Sequence, residues 1–259
     1  MNPRFTARLK LLARNCGIAL LLPRPGIGLF YVPRFIAHWI KYAQAPQSQK
    51  VEVLDLHPCL GDWSTHTPFD PHYFYQGAWL SRQLSAAKPL QHFDIGSSVL
   101  SVSVLSAWVD TVFVDYRPLK AFLPGLRSVA GDVLRLPFAD NSIESLSCLH
   151  VIEHIGLGRY GDPIDPQGSA KAALELQRIL RPGGRLYLSL PIGRERICFN
   201  AHRVHAPGSV MGMFEKLKLI QFSYVDDAGQ LRQNEPLSSG NDLQYGCGLF
   251  HFEKPASPS

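Results

Sequence analysis

From residue 92 onward, short apolar runs alternate with amphipathic stretches, and glycine, proline and aspartate punctuate the joins. The runs predict strands at residues 92–95, 111–115, 128–131, 143–150 and 185–190. The stretches between them predict helices at 99–107, 119–123 and 169–180. Short apolar strands separated by helices imply a parallel sheet covered on both faces. Arg181-Pro182-Gly183-Gly184 predicts a turn that stops the helix before it. Farther on, the pattern predicts a helix at 210–217 and strands at 219–225 and 248–252. A turn follows residue 225, and these last two strands pair most simply as antiparallel neighbours. Upstream, residues 51–58 alternate and end at proline, which predicts a short strand. Residues 62–75, rich in aromatics and turn formers, predict an ordered loop into a helix at 74–87.

Composition changes this picture at one end. The chain has 259 residues, 46% hydrophobic and 18% charged, enough for a sizeable core. Its net charge of +5 resides in residues 1–50, which hold eight Lys or Arg and no acid. The rest is slightly acidic and gives no reason to expect nucleic-acid binding. The expected organisation is a basic, apolar, helical arm at 1–50, a body at 51–254 and a flexible tail at 255–259. The apolar run at 17–22 is too short to span a membrane. Pro23 and Pro25 break a helix and stand where a signal peptide would need small residues. The expectation is a cytoplasmic protein whose residues 1–42, through the aromatic, basic stretch 30–42, either pack on the body or make peripheral contact with the inner membrane surface. Five scattered cysteines with no CxxC pair fit a reducing compartment.

In open parallel sheets, ligands bind beyond the carboxyl ends of the strands. Those ends are Asp94-Ile95-Gly96-Ser97-Ser98, Asp115-Tyr116, Asp132-Val133, His150 with Glu153-His154, and Pro191-Ile192-Gly193-Arg194. A glycine turning a strand into a helix start leaves N–H groups free for an acceptor. Asp115, an acceptor-only carboxylate, suits a ribose diol. Asp132 can take an exocyclic amine while the next N–H serves a ring nitrogen. Each also has a structural reading: Asp94 and Asp115 as caps, Asp132 as a brace for the loop before Pro137. Three in order, each after its own strand, point to a nucleotide-type cofactor site.

The order FDIGSS, VFVDYRP, GDVLRLPFADNSIESLSCLHVIEHIG and LRPGGRLYLSLPIG resembles the class I S-adenosylmethionine (SAM)-dependent methyltransferases. With GLGRYGDPID and PIGRERICFNAHRV, residues 51–254 more narrowly resemble DUF268, a family of uncharacterised bacterial and nematode proteins suspected of work on surface polysaccharide. The resemblance implies an α/β fold: a Rossmann-like methyltransferase sandwich whose mostly parallel sheet ends in an antiparallel hairpin. It implies SAM as cofactor, with Asp94, Gly96 and Ser98 at the methionine part, Asp115 at the ribose, Asp132 and Val133 at the adenine, and His150 in the same group. The superfamily's first loop is usually D/E-x-G-x-G-x-G. Here Gly96 alone is kept, and Ser98 and Leu100 hold the other two places, which removes freedom at positive φ.

Methyl transfer is an in-line displacement that needs alignment and, for a hydroxyl acceptor, a base. The candidates are His154 as base with Glu153 orienting it, and His202. Arg159, Tyr160 and Asp162 in one loop, with Arg194, Asn200 and Arg203 in another, would hold an anionic or polyol acceptor. Equally, the arginines could pair with Asp162, Asp165 and Glu195 and merely tie the loops together. His150-Val151-Ile152-Glu153-His154 also spells an inverted zinc-protease motif, but that motif needs a helix, so no metal is expected there. His57, His66 and His72 match no compact ligand spacing, and no cysteine is expected to join them. The expected function is methyl transfer to a small-molecule or saccharide acceptor, possible in surface polysaccharide biosynthesis. The alternative is a catalytically silent methyltransferase-like scaffold of a glycan-assembly complex.

Overall fold

The computed structural model describes residues 27–256 together with 6, 8–10 and 12–13. The apolar run at 17–22 and the two prolines after it lie outside the described residues. The chain divides into two compact units, Met1–Phe69 and Asp70–Ser259.

In the first unit, helix α1 (Ile27–Gln44) contains Pro33 and ends near Lys41. Among the described residues no helix is long and apolar enough to cross a membrane. Arg34 lies over the rings of Tyr31 and Trp63, at 4.6 and 4.4 Å, and donates to Leu60 O at 3.1 Å. The strand expected at 51–58 does not form. A single 3-10 turn, Val53–Asp55, stands there, and Arg8 donates to Glu52 and Asp55 on it. Two carboxylates three residues apart on one turn meet one guanidinium better than they would on alternate faces of a strand.

The second unit is built on an eight-stranded sheet. Helix α2 (Pro71–Ala87) starts three residues earlier than expected, because Asp70 accepts from His72 N and Tyr73 N and Pro71 occupies the first helical position. Then follow β1 (Gln91–Ile95), α3 (Val99–Leu105), β2 (Asp110–Asp115), β3 (Leu126–Ala130), β4 (Ile143–Leu149), α4 (Gly168–Ile179) and β5 (Leu180–Ile192). The chain continues through β6 (Arg196–Cys198), β7 (His202–Val204), α5 (Pro207–Met213), β8 (Lys218–Val225), β9 (Leu231–Arg232) and β10 (Gly246–Glu253). The helix expected at 119–123 is absent; the chain there has no regular structure, with Leu119 N donating to Ser128 Oγ.

The strand order is β3-β2-β1-β4-β5-β10-β8-β9, with a separate β6–β7 hairpin. Strands β1 to β5 are parallel, and β10 inserts antiparallel between β5 and β8. Arg181–Gly184 does not separate helix from strand. It bulges within β5 between the Ile143–Leu180 and Ser145–Arg185 pairs, with Gly183 at φ +72°.

Alternating side chains divide the core between the two sheet faces. Tyr187 and Leu249 pack with Trp79, Leu80 and Leu84 of α2, while Leu186, Leu188, Phe250 and Phe252 pack with Ala172, Leu176 and Ile179 of α4. Because the chain leaves β1 toward β2 and β3 and returns to place β4 on its other side, a crevice opens at the carboxyl ends of the parallel strands.

Candidate functional site

Two clefts lie along this carboxyl edge. The first, about 200 Å³, is lined by Gly96, Asp115, Asp132, Val133, Leu134 and Val151, with Tyr160 and Asp162 on its rim. Gly96 has φ +65°, and a Cβ there would stand 3.3 Å from a Val151 methyl and 3.6 Å from Asp115 Oδ2. The backbone therefore leaves a space that any side chain would fill. Asp115 accepts from Arg117 N through Oδ1 at 2.7 Å, while Oδ2 faces Gly96. Asp132 accepts from Leu134 N at 2.9 Å. The capping and cleft-facing roles thus coexist in the same side chains.

Ser98 has φ −63° and Gly96 is the only left-handed residue of the turn. The serines standing where glycines are usual are therefore under no backbone strain. Ser97 N donates to Asp94, and Ser97 Oγ accepts from Leu149 N, which stitches the turn to β4.

Asp94 itself turns inward. Its carboxyl is fully buried, accepts from Ser97 N at 3.0 Å and from the Ser147 hydroxyl, and is raised to about 6 by burial. Ser147 and Ser145 also contact the two ring nitrogens of buried His92, which burial holds down at about 3. Asp94 braces the turn from below rather than facing the cleft. Neither Ser98 nor His150 lines the first cleft.

The second cleft is larger, about 620 Å³, and more polar. Its walls come from the start of α2 (Asp70, His72, Tyr73), the segment after β4 (His150, Glu153, His154, Arg159), His202, the turn at Asp226–Gly229, and Tyr245. His150 occupies the left-handed region at φ +56°, a conformation costing about 1–2 kcal/mol for a residue with a Cβ. The 3-10 turn Ile152–His154 follows directly. The inverted zinc-protease spelling therefore lies on a strand end and a tight turn, as its sequence position implied.

Glu153 is fully buried, and neither carboxylate oxygen has a partner. Burial pushes its pKa up to about 8, so the group is protonated at neutral pH. His154 is not oriented by Glu153, whose Oε1 is 3.7 Å from His154 Nε2. The Ala201 carbonyl takes that role, 2.6 Å from Nδ1, and burial lowers His154 to about 4. The expected base is thus neutral and weakly basic, because burial penalises the imidazolium more than the Ala201 carbonyl and Asp162 stabilise it. His202 also lines this cleft, its ring 5.3 Å from that of Tyr245.

The remaining expected residues separate. Arg159 lines the second cleft and donates to Ala201 O at 3.0 Å. Tyr160 stands between the clefts: its ring meets His154 edge-on at 5.7 Å and carries Arg117 and Arg159 over its faces. Asp162 accepts from Gly156 N and Tyr160 N, closing its own loop, and these bonds outweigh burial to hold its pKa low. Buried Arg203 donates to the carbonyls of Ile155, Asp165 and Pro166. It ties loops through backbone oxygens rather than through the acids anticipated. Arg194 and Asn200 are exposed and line neither cleft.

Sequence reading missed Asp70, Tyr73, Asp227 and Tyr245. Only the Asp70-Pro71 pair, a helix-start signature, marked any of them in advance.

Two family models match. A Caenorhabditis protein family of unknown function, DUF268, matches residues 138–244, and a methyltransferase domain matches residues 86–188. No curated protein matches. Among solved structures, the YcgJ protein of Bacillus subtilis is 15% identical with a TM-score of 0.50, covering 71% of this chain and 100% of its own. A Galdieria sulphuraria protein, provisionally described as a sarcosine dimethylglycine methyltransferase, is 14% identical with a TM-score of 0.51, covering 70% of this chain and 86% of its own. At these identities the likeness is one of fold. The resemblance to DUF268 and to the methyltransferase superfamily holds, and the chain has the Rossmann-like α/β architecture expected of it. The methyltransferase-domain match agrees with SAM as the cofactor.

Proposed function

We propose that the protein is a SAM-dependent methyltransferase whose first cleft holds the cofactor and whose second cleft holds a small polar acceptor, a saccharide hydroxyl foremost. One observation carries the reading. Gly96, Asp115 and Asp132 converge on one cleft at the point where the strand order reverses, with the space above Gly96 kept clear. There Asp115 would hold the ribose, Asp132 and the Val133 N–H the adenine, and Gly96 the methionine end. When bound, SAM supplies an electrophilic methyl group, and this chain supplies alignment.

Only the segment 150–160 separates the clefts. Val151 and Tyr160 face the first, while His150, Glu153, His154 and Arg159 face the second. A volume of about 620 Å³ with several aromatic faces and hydrogen-bonding groups suits a polyol ring. His154, neutral and held by Ala201, can accept a hydrogen bond from an acceptor hydroxyl. The test is isothermal titration with SAM and S-adenosylhomocysteine, beside Asp115→Asn. That variant keeps an oxygen for Arg117 N but loses the carboxylate charge. Micromolar binding weakened about tenfold by the change is the expected result. Absence of heat from a folded chain would sink the reading.

The membrane reading of the arm rests on α1, where Phe30, Ile36 and Ile40 are exposed near Lys41. Apolar side chains beside a cation suit an anionic lipid surface. Co-sedimentation with phosphatidylserine vesicles should fall severalfold in Ile36→Glu/Ile40→Glu. Equal sedimentation of variant and parent would remove the membrane from the picture.

A further inference from the structure

Two histidines of the second cleft belong to a ligand set that the fold assembles from three distant segments, with its cysteine buried behind the cleft lining. One ring nitrogen of His72, one of His150 and the sulfur of Cys247 lie within 4.8 Å of one another. His72 sits in the first turn of α2, His150 directly follows β4, and Cys247 lies at the start of β10. The cysteine that the sequence spacing did not supply to His72 comes from the antiparallel strand inserted beside β5.

We infer that His72, His150 and Cys247 form a binding site for a divalent transition-metal cation, zinc above all, with its fourth position open to the second cleft. Two imidazoles and one thiolate select zinc over magnesium or calcium, which prefer oxygen. Three protein ligands with one open position make the arrangement of a reactive rather than a closed site.

His150 is prepared for this role. Its Nδ1 lies 2.8 Å from Gln76 Oε1 and 3.1 Å from Ser189 Oγ. Because Gln76 Oε1 only accepts, the ring proton sits on Nδ1 and Nε2 keeps its lone pair. That Nε2 is buried and has no partner. A histidine fixed through one nitrogen by a polar residue, with the other left bare, is the usual form of a metal-bound imidazole.

Glu153, buried in the wall of the same cleft, has neither oxygen hydrogen-bonded. A buried carboxyl without a hydrogen-bond partner calls for an ion or an ordered water. A hydroxyl or water in the open position would be made more acidic, which the weakly basic His154 does not achieve. The metal site stands whether or not the first cleft binds SAM, since the two share no residue.

The test is titration of the untagged, chelator-stripped chain with Co²⁺ as a spectroscopic probe, then displacement by Zn²⁺. The expected result is one equivalent bound, with a thiolate-to-cobalt charge-transfer band and the visible bands of a tetrahedral site. Cys247→Ser should abolish the charge-transfer band, and His150→Gln and His72→Ala should each weaken binding at least tenfold. Cys198→Ser should leave all of it unchanged. Circular dichroism shows whether each variant is folded, and if Cys247→Ser is not, Cys247→Ala serves. A band that survives loss of Cys247 in a folded chain, or no binding by the folded parent at micromolar metal, overturns the assignment.

Discussion

The two clefts sit on the same sheet edge yet differ in how their polar groups are satisfied. In the first, Asp115 and Asp132 each accept from a backbone N–H two residues on, so the walls hold themselves in place before any ligand arrives. In the second, Glu153 has neither oxygen paired and His150 Nε2 has no partner. Unpaired buried polar atoms are costly and uncommon. The first cleft is therefore a preformed mould, and the second is a site whose electrostatics are complete only when something is bound.

The sharpest way to break this comparison is to remove the buried carboxyl. The Glu153 pKa is raised from 4.5 to about 8, burial being the largest cause. The folded chain therefore holds a proton that the unfolded chain has released, and stability falls as pH rises from about 4.5 to about 8. In metal-free protein, Glu153→Gln should remove that part of the slope. Above pH 8 it should exceed the parent by up to about 5 kcal/mol in urea unfolding. Parallel curves for the two proteins would mean that the carboxyl already has its partner.

A smaller effect tests the mould. Gly96→Ala places a Cβ in the left-handed region and 3.3 Å from Val151, costing about 1–2 kcal/mol in stability. It should also weaken SAM binding about tenfold or more, as read by titration calorimetry. Undiminished binding would show that the cofactor does not approach this turn.

Smallest in stability, but decisive for independence, is the pair Asp115→Asn and His72→Ala. Each should leave the unfolding free energy within about 0.5 kcal/mol of the parent. Asp115→Asn should affect only the nucleoside ligand and His72→Ala only the metal. Crossed effects would merge the two clefts into one site.

The first cleft was legible because each of its residues closes a strand and the strands follow one another in the chain. Asp115 and Asp132 needed only the strand pattern to be found. Asp94 illustrates the limit: the same strand-end position turns inward, because Ser147 of the neighbouring β4 offers it a hydrogen bond. The second cleft was half legible. Glu153, His154, Arg159 and His202 were marked by type, but the role given to Glu153 failed because Ala201, brought in by the β6–β7 hairpin, took the position beside His154. Arg203 was read either as a binder or as a tie between loops, and it is buried against four carbonyls.

Hydrophobic periodicity and turn residues by themselves determined the alternation of strands and helices, the parallel sheet and the line of acids at its edge. Those features depend on neighbours within a few residues. Tertiary structure alone decided that Val53–Asp55 is a turn, that β10 lies between β5 and β8, and that Cys247 meets His72 and His150. Strand order and burial are set by packing across the whole sheet, and residues about 75 and 175 positions from His72 come together only when that packing is complete.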